Sequence, residues 1–173
     1  MKVYFSHGKE SGPWGSKIKR LADIAKDQGY SIDSIDYSDI HDPDLRVDLL
    51  LNVLKDEKSD FLLVGSSMGG YVSLVASEQV NAAGVFLLAP ALFMEGYKNQ
   101  TYASNNNVEI VHGWSDDIIP PDNSIKFAKE SDCSLHLISG DHRLNSSIEV
   151  VEKIFLNFLS SQPHNKALQR INR

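Results

Sequence analysis

Short apolar runs, each stopped by a glycine, a proline or a polar turn, recur along this chain. Phe61-Leu62-Leu63-Val64 meets Gly65, and Val85-Phe86-Leu87-Leu88-Ala89 meets Pro90. Val108 to Val111 meets His112-Gly113, and the shorter Val3-Tyr4-Phe5 stops at His7-Gly8. Runs without a polar alternate residue suit strands covered on both faces. Between them apolar residues return at helical spacing: Ile18, Leu21, Ala22 and Ala25; Val47, Leu50, Leu51 and Leu54; Tyr71, Val72, Val75 and Ala76; Ile148, Val151, Phe155 and Phe158. Gly29 stands where a helix ends, and Asp42-Pro43 pairs an N-cap with a proline at the first helical position. A less regular strand over 31–37, a short helix over 125–130 and a last strand at Leu135-His136-Leu137-Ile138 complete the pattern. Six strands alternating with helices predict an α/β domain: a mostly parallel sheet with right-handed crossovers, layered α/β/α.

The 173 residues suit one domain, which the pattern places over 1–161, with a polar, flexible tail over 162–173. Hydrophobic and charged contents of 42% and 23% are those of an ordinary globular chain. A net charge of −6 gives no basic footprint for nucleic acid. The lone Cys133 excludes an internal disulfide framework and a multi-cysteine metal site. No apolar run approaches the ~20 residues of a membrane span, and the N-terminal run is too short for a signal peptide, so the expected compartment is the cytoplasm. A Walker A lysine motif, a Gly-x-Gly-x-x-Gly fingerprint and a histidine pair at zinc spacing are all missing, so no metal or organic cofactor is expected.

Ligands of open parallel sheets bind beyond the carboxyl ends of the strands. Four polar clusters fall at such ends: His7-Gly8, Gly65-Ser66-Ser67-Met68-Gly69, His112-Gly113-Trp114-Ser115-Asp116 and Gly140-Asp141-His142. Gly65-x-Ser67-x-Gly69, between a strand and a helix, is a nucleophile-elbow pattern that would present the Ser67 hydroxyl at the head of the helix. Such a serine needs a base and the base an orienting carboxylate. His142 lies after the last strand and follows the serine and the acid in the order Ser…Asp…His. Among the other histidines, His112 reads as a turn residue with its ring tucked in, His136 as structural, and His41 and His164 as surface residues. For the acid, Asp116 is nearer the strand end than Asp117, and Asp141 is too close in sequence to serve its neighbour.

These motifs, in this order, resemble those of the α/β-hydrolase superfamily over about residues 2–160. The chain is similar to the small cap-less bacterial members and to retinoblastoma-binding-protein-9-like serine hydrolases. Ser6-His7-Gly8-Lys9-Glu10-Ser11-Gly12-Pro13 resembles the oxyanion loop, Ser67 the nucleophile, His112-Gly113 with Asp116 and Pro120 the surroundings of the acid, and His142 the base. The resemblance implies backbone oxyanion donors at Lys9 and Met68, with His7 bracing the loop. It also implies a six-stranded parallel sheet in the order 2-1-3-4-5-6, because the first strand begins almost at Met1 and the two leading strands of larger members are missing. Only residues 90–107 stand where those members insert a lid. There Leu92, Phe93 and Met94 form either a partial apolar wall of the site or a cover for the core. Trp14 and Trp114 follow strand-end turns and are candidates to line the site. The implied activity is cleavage of a small ester or thioester through an acyl-enzyme. A silent hydrolase fold used as a binding module, or a peptidase or acyltransferase on the same scaffold, stands as the alternative.

Overall fold

A computed structural model describes residues 1–103 and 107–163. Its elements run β1 (Lys2–Ser6), α1 (Ser16–Asp27), β2 (Ser31–Ile35), α2 (Pro43–Leu54), β3 (Phe61–Ser66), α3 (Met68–Ser77), β4 (Gly84–Leu88), β5 (Val108–Gly113), α4 (Pro121–Ser131), β6 (Ser134–Ile138) and α5 (Ile148–Ser161). A short 3₁₀ turn, Asn145–Ser147, leads into α5. The six strands form one parallel sheet in the order β2-β1-β3-β4-β5-β6.

Alternate residues of each central strand feed different cores. Val3, Phe5, Leu62, Val64, Phe86 and Leu88 face α1 and α5, meeting Leu21, Val151, Phe155 and Phe158. Tyr4, Phe61, Leu63, Val85, Leu87 and Ile110 face the other way, onto residues of α2, α3 and α4 such as Leu50, Val72 and Phe127. Two covered faces are why these strands carry no polar alternation. The Phe86 ring sits 5.0 Å from Phe155 and 5.2 Å from Phe158, centroid to centroid. The start of α2 is set as its sequence suggests: Asp42 Oδ1 accepts from the Asp44 and Leu45 N–H groups at 2.8 and 3.1 Å, with Pro43 in the first turn.

Three details depart from the sequence expectations. The second strand stops at Ile35 rather than Tyr37, because the Tyr37 N–H donates to His7 Nε2 (2.9 Å) instead of to a neighbouring strand. The fifth strand runs on through His112 and Gly113, which pair with Leu137 and Ile138 of β6. Gln162, expected to begin a flexible tail, is buried and donates from Nε2 to Phe158 O (3.1 Å); the remainder of that tail, 164–173, lies outside the described residues. Among the described residues no helix is long and apolar enough to cross a membrane.

Candidate active site

Ser67 sits between β3 and α3 with φ 55° and ψ −121°, a backbone conformation few side chains adopt. The surroundings hold it there. Its N–H donates to Leu88 O (2.9 Å), and its carbonyl accepts from Gly70 N–H (2.9 Å) and Ala91 N–H (3.0 Å). The flanking glycines are steric requirements of the elbow. A Cβ on Gly65 would collide with the main chain of Gly69 and Gly70, and one on Gly69 with the carbonyl of Ser6 on β1. The turn can therefore close only where both positions lack a side chain.

His142, on the loop between β6 and the 3₁₀ turn, brings Nε2 to 3.0 Å from Ser67 Oγ. Its Nδ1 lies 2.7 Å from Asp116 Oδ2. An ionised carboxylate only accepts, so Nδ1 carries the proton and Nε2 accepts from the serine hydroxyl. The Asp116 side chain is fully buried, whereas that of His142 is 14% exposed. Burial opposes ionisation of Asp116. Hydrogen bonds from the Ile119 N–H, His142 and the Ile118 N–H outweigh it and hold the carboxyl below its ordinary value. Asp117 points to solvent. Helix α1 also reaches this loop. Lys17 Nζ donates to Arg143 O (3.1 Å), and burial pulls its amine down to about 8 against the attraction of Asp141 and Asp116.

His112 is more than a tucked-in turn residue. Its ring, at the buried end of β5, places Nε2 2.9 Å from Asp116 Oδ2 and 3.0 Å from Ile119 O. The carbonyl can only accept, so Nε2 is the protonated nitrogen and Nδ1 accepts from Ser124 Oγ of α4 (2.7 Å). Asp116 Oδ2 thus receives two imidazole N–H groups, one from each side. Burial lowers the His112 pKa, so the ring is neutral against the pull of Asp116. Ser124, spaced twelve residues from His112, carries no motif that would have revealed it.

On the far side of Ser67, the β1–α1 loop brings Gly8 so close that a Cβ there would stand 3.4 Å from Ser67 Cβ. His7 is fully buried, donates from Nδ1 to Gly8 O (2.7 Å) and accepts Tyr37 N–H at Nε2. Burial lowers its pKa, so it too is neutral. Lys9 is exposed beside this turn. Met68 is the first residue of α3, where a backbone N–H has no intrahelical acceptor.

The expected lining divides. Trp14 and Trp114 are exposed, at 40% and 59%. Leu92 is fully buried in the α2/α3/α4 core and offers no surface to a ligand, and Phe93 packs edge-on against Tyr102 (5.2 Å). Met94 is half-buried, its carbonyl holding Gln100 Nε2 (2.8 Å). The segment after β4 is strapped to the helices below: Asn99 N–H donates to the Tyr71 hydroxyl (3.1 Å) and Lys98 N–H to Asp44 Oδ2 (3.2 Å). Leu92 and Phe93 therefore serve the core, and the described part of this segment contains no helix or strand.

The profile of the uncharacterised protein family UPF0227 matches residues 1–113. The chain belongs to that family. The match runs from β1 to the end of β5, so it takes in the Ser67 elbow and stops short of Asp116 and His142. No curated protein matches the UPF0227 chain. Solved structures do. A candidate hydrolase of the alpha/beta superfamily from Xanthomonas campestris pv. campestris is 29% identical, with a TM-score of 0.87 over 92% of this chain and 98% of its own. Est1E from Butyrivibrio proteoclasticus with ferulic acid bound is 18% identical, with a TM-score of 0.79 over 93% of this chain and 88% of its own. Mouse alpha/beta hydrolase domain-containing protein 10 is 18% identical, with a TM-score of 0.75 over 92% and 89%. The UPF0227 chain thus has the α/β-hydrolase fold in a small form, with no cap among the described residues.

Proposed function

We propose that this protein is a serine hydrolase that cleaves small esters or thioesters. The observation that carries the reading is the pair of contacts from one ring: His142 Nε2 at 3.0 Å from Ser67 Oγ, and Nδ1 at 2.7 Å from a buried carboxylate. The strained elbow and the candidate-hydrolase description of the Xanthomonas relative support it.

In this reading Ser67 Oγ attacks the acyl carbon while its proton passes to His142 Nε2. Asp116 keeps the imidazole in the required tautomer and stabilises the imidazolium. The carbonyl oxygen becomes an oxyanion held by the N–H groups of Met68 and Lys9. Collapse of the tetrahedral species breaks the bond to the alcohol or thiol, which leaves with the proton from His142. Water, deprotonated by the same ring, then attacks the acyl-enzyme. A second tetrahedral species releases the acid and restores Ser67.

An active-site fluorophosphonate should label the wild type and not Ser67→Ala. A protein that hydrolyses no ester, thioester or amide and takes no label is a binding module instead. Among p-nitrophenyl esters, kcat/KM should stop rising after the first few acyl carbons. A buried methylene contributes ~0.8 kcal/mol only where a wall covers it, and Leu92 and Phe93 of the strapped-down segment after β4 are turned to the core instead. A rate that climbs to long chains would reveal a groove for them.

A further inference from the structure

Arg46 is a fully buried cation in α2, on the helix face that meets the site loops. Among the described residues no carboxylate lies within ion-pair distance of it. Its partners are main-chain carbonyls. Nε donates to Ile40 O (2.6 Å), Nη2 to Tyr37 O (3.3 Å), and Nη1 to His7 O (3.1 Å) and Gly8 O (3.3 Å). The Tyr37 ring lies against the guanidinium at 5.2 Å.

A buried charge bound this way is a poor device for stability. Apolar side chains of similar volume commonly do as well, since removing a cation from water is costly even when its donors are satisfied. What the guanidinium does provide is direction. One nitrogen holds two consecutive carbonyls of the turn that packs on Ser67. The Gly8–Lys9 peptide is trans, as are all the described peptide bonds, so its N–H points opposite to its C=O. With Gly8 O held on the buried side of the turn by Arg46 and by His7 Nδ1, the Lys9 N–H is turned the opposite way, toward the side on which Lys9 is exposed. A cation on the carbonyl also polarises the peptide and makes its N–H a stronger donor.

We infer that Arg46 is a positioning residue for the oxyanion site: it aims and polarises the Gly8–Lys9 peptide so that the Lys9 N–H meets the negative charge formed in the transition state. This rests on the hydrolase reading above and adds to it a residue from outside the strand-end loops. Removing one oxyanion donor outright costs about 10²–10³ in kcat, so a misaimed donor should cost about 10–100-fold.

The test is Arg46→Met, with Arg46→Lys beside it, assayed on a p-nitrophenyl ester after circular dichroism has shown the fold intact. The expected result is a loss of kcat of about 10–100-fold with KM little changed. Affinity for a trifluoromethyl ketone, which forms the oxyanion on binding, should fall by the same factor. The midpoint of the acid limb of the pH profile should not move, because His142 and Asp116 are untouched. Arg46→Lys should keep part of the rate, since it retains the charge but not the fork. Unchanged kcat, or a kcat loss without a matching loss of ketone affinity, overturns the inference. If Arg46→Met does not fold, Arg46→Lys is judged by the same two readouts; if neither folds, Arg46 serves stability and the inference fails. A wild type that is inactive and unlabelled by fluorophosphonate removes the hydrolase reading and this inference with it. An active wild type with unimpaired variants removes this inference alone.

Discussion

The two faces of the sheet are built of different materials. Toward α1 and α5 the core is mainly hydrocarbon: Val3, Phe5, Leu62, Val64, Phe86, Phe155 and Phe158, with Tyr30 and Gln162 among the few polar groups buried there in the described residues. Toward α2, α3 and α4 the apolar residues are threaded with hydrogen-bonded polar groups. Tyr37 shares a hydrogen bond with Ser6 Oγ (3.0 Å), Tyr71 donates to Asp44 (2.6 Å), Arg46 grips the β1–α1 turn, and His112 joins Ser124 of α4 to Asp116. Hydrophobic cohesion is large but has no direction. Hydrogen bonds are individually modest but fix where an atom points. Both faces hold the domain together, and the one toward α2, α3 and α4 also supplies most of the side-chain hydrogen bonds that aim the loops around Ser67.

That contrast can be broken most severely at Asp116. Asp116→Asn should lower kcat by about four orders of magnitude, because the amide favours the wrong imidazole tautomer. Asp117→Asn, at an exposed position, should leave the rate near that of the wild type. Steady-state kinetics on one ester decides it, and the reverse ranking would remove Asp116 from its role.

Next comes the hydrocarbon face. Phe155→Ala should cost about 3–5 kcal/mol in chemical unfolding, leaving a cavity beside Phe86 and Phe158. The activity per folded molecule should hardly change. A large drop in specific activity with the fold retained would show that this face also aims the site.

A smaller effect is expected at His112. In His112→Gln, kcat should fall about tenfold, the effect of losing one hydrogen bond to a charged group. Asp116 would then have one donor fewer and hold the His142 imidazolium more tightly, so the acid limb of kcat/KM should move to higher pH. A loss of rate without that shift would make His112 a packing residue only.

The gentlest probe is pH. His7 and His112 are both held neutral by burial, with pKa values lowered from the ordinary 6.5. The unfolded chain takes up protons first, so their contribution is complete above pH 6.5 and is lost as pH falls toward the folded values. The slope is at most ~1.4 kcal/mol per pH unit for each histidine. Asp116, also lowered, keeps its contribution above the ordinary carboxylate pKa of 3.8 and loses it only on further acidification. Thermal unfolding from pH 7 to 5 should show Tm falling, and replacing either histidine by glutamine should flatten the slope. A Tm constant over that range would mean that neither ring is held neutral.

Much of this protein could be read along the chain, because the relevant constraints are local. A strand covered on both faces must be continuously apolar, which exposed β3 and β4. The elbow needs glycines two residues either side of Ser67, and Asp42-Pro43 caps α2 with atoms of its own first turn. Ser67, Asp116 and His142 could be nominated since each lies within a few residues after the end of a strand, and the parallel sheet then brings them to one edge. What lies between elements had no such signature. Arg46 neighbours the apolar stripe of α2, and nothing nearby in sequence explains a buried cation; its acceptors are carbonyls of His7, Gly8, Tyr37 and Ile40. His112 has the look of a turn residue until the continuation of β5 turns its ring under Asp116. Leu92 was equally readable as site wall or core until the Tyr71 and Asp44 straps drew its segment down onto the helices. Burial and hydrogen-bond partnership depend on which elements meet, and a linear pattern of apolar and polar residues does not encode the meeting of atoms distant in the chain.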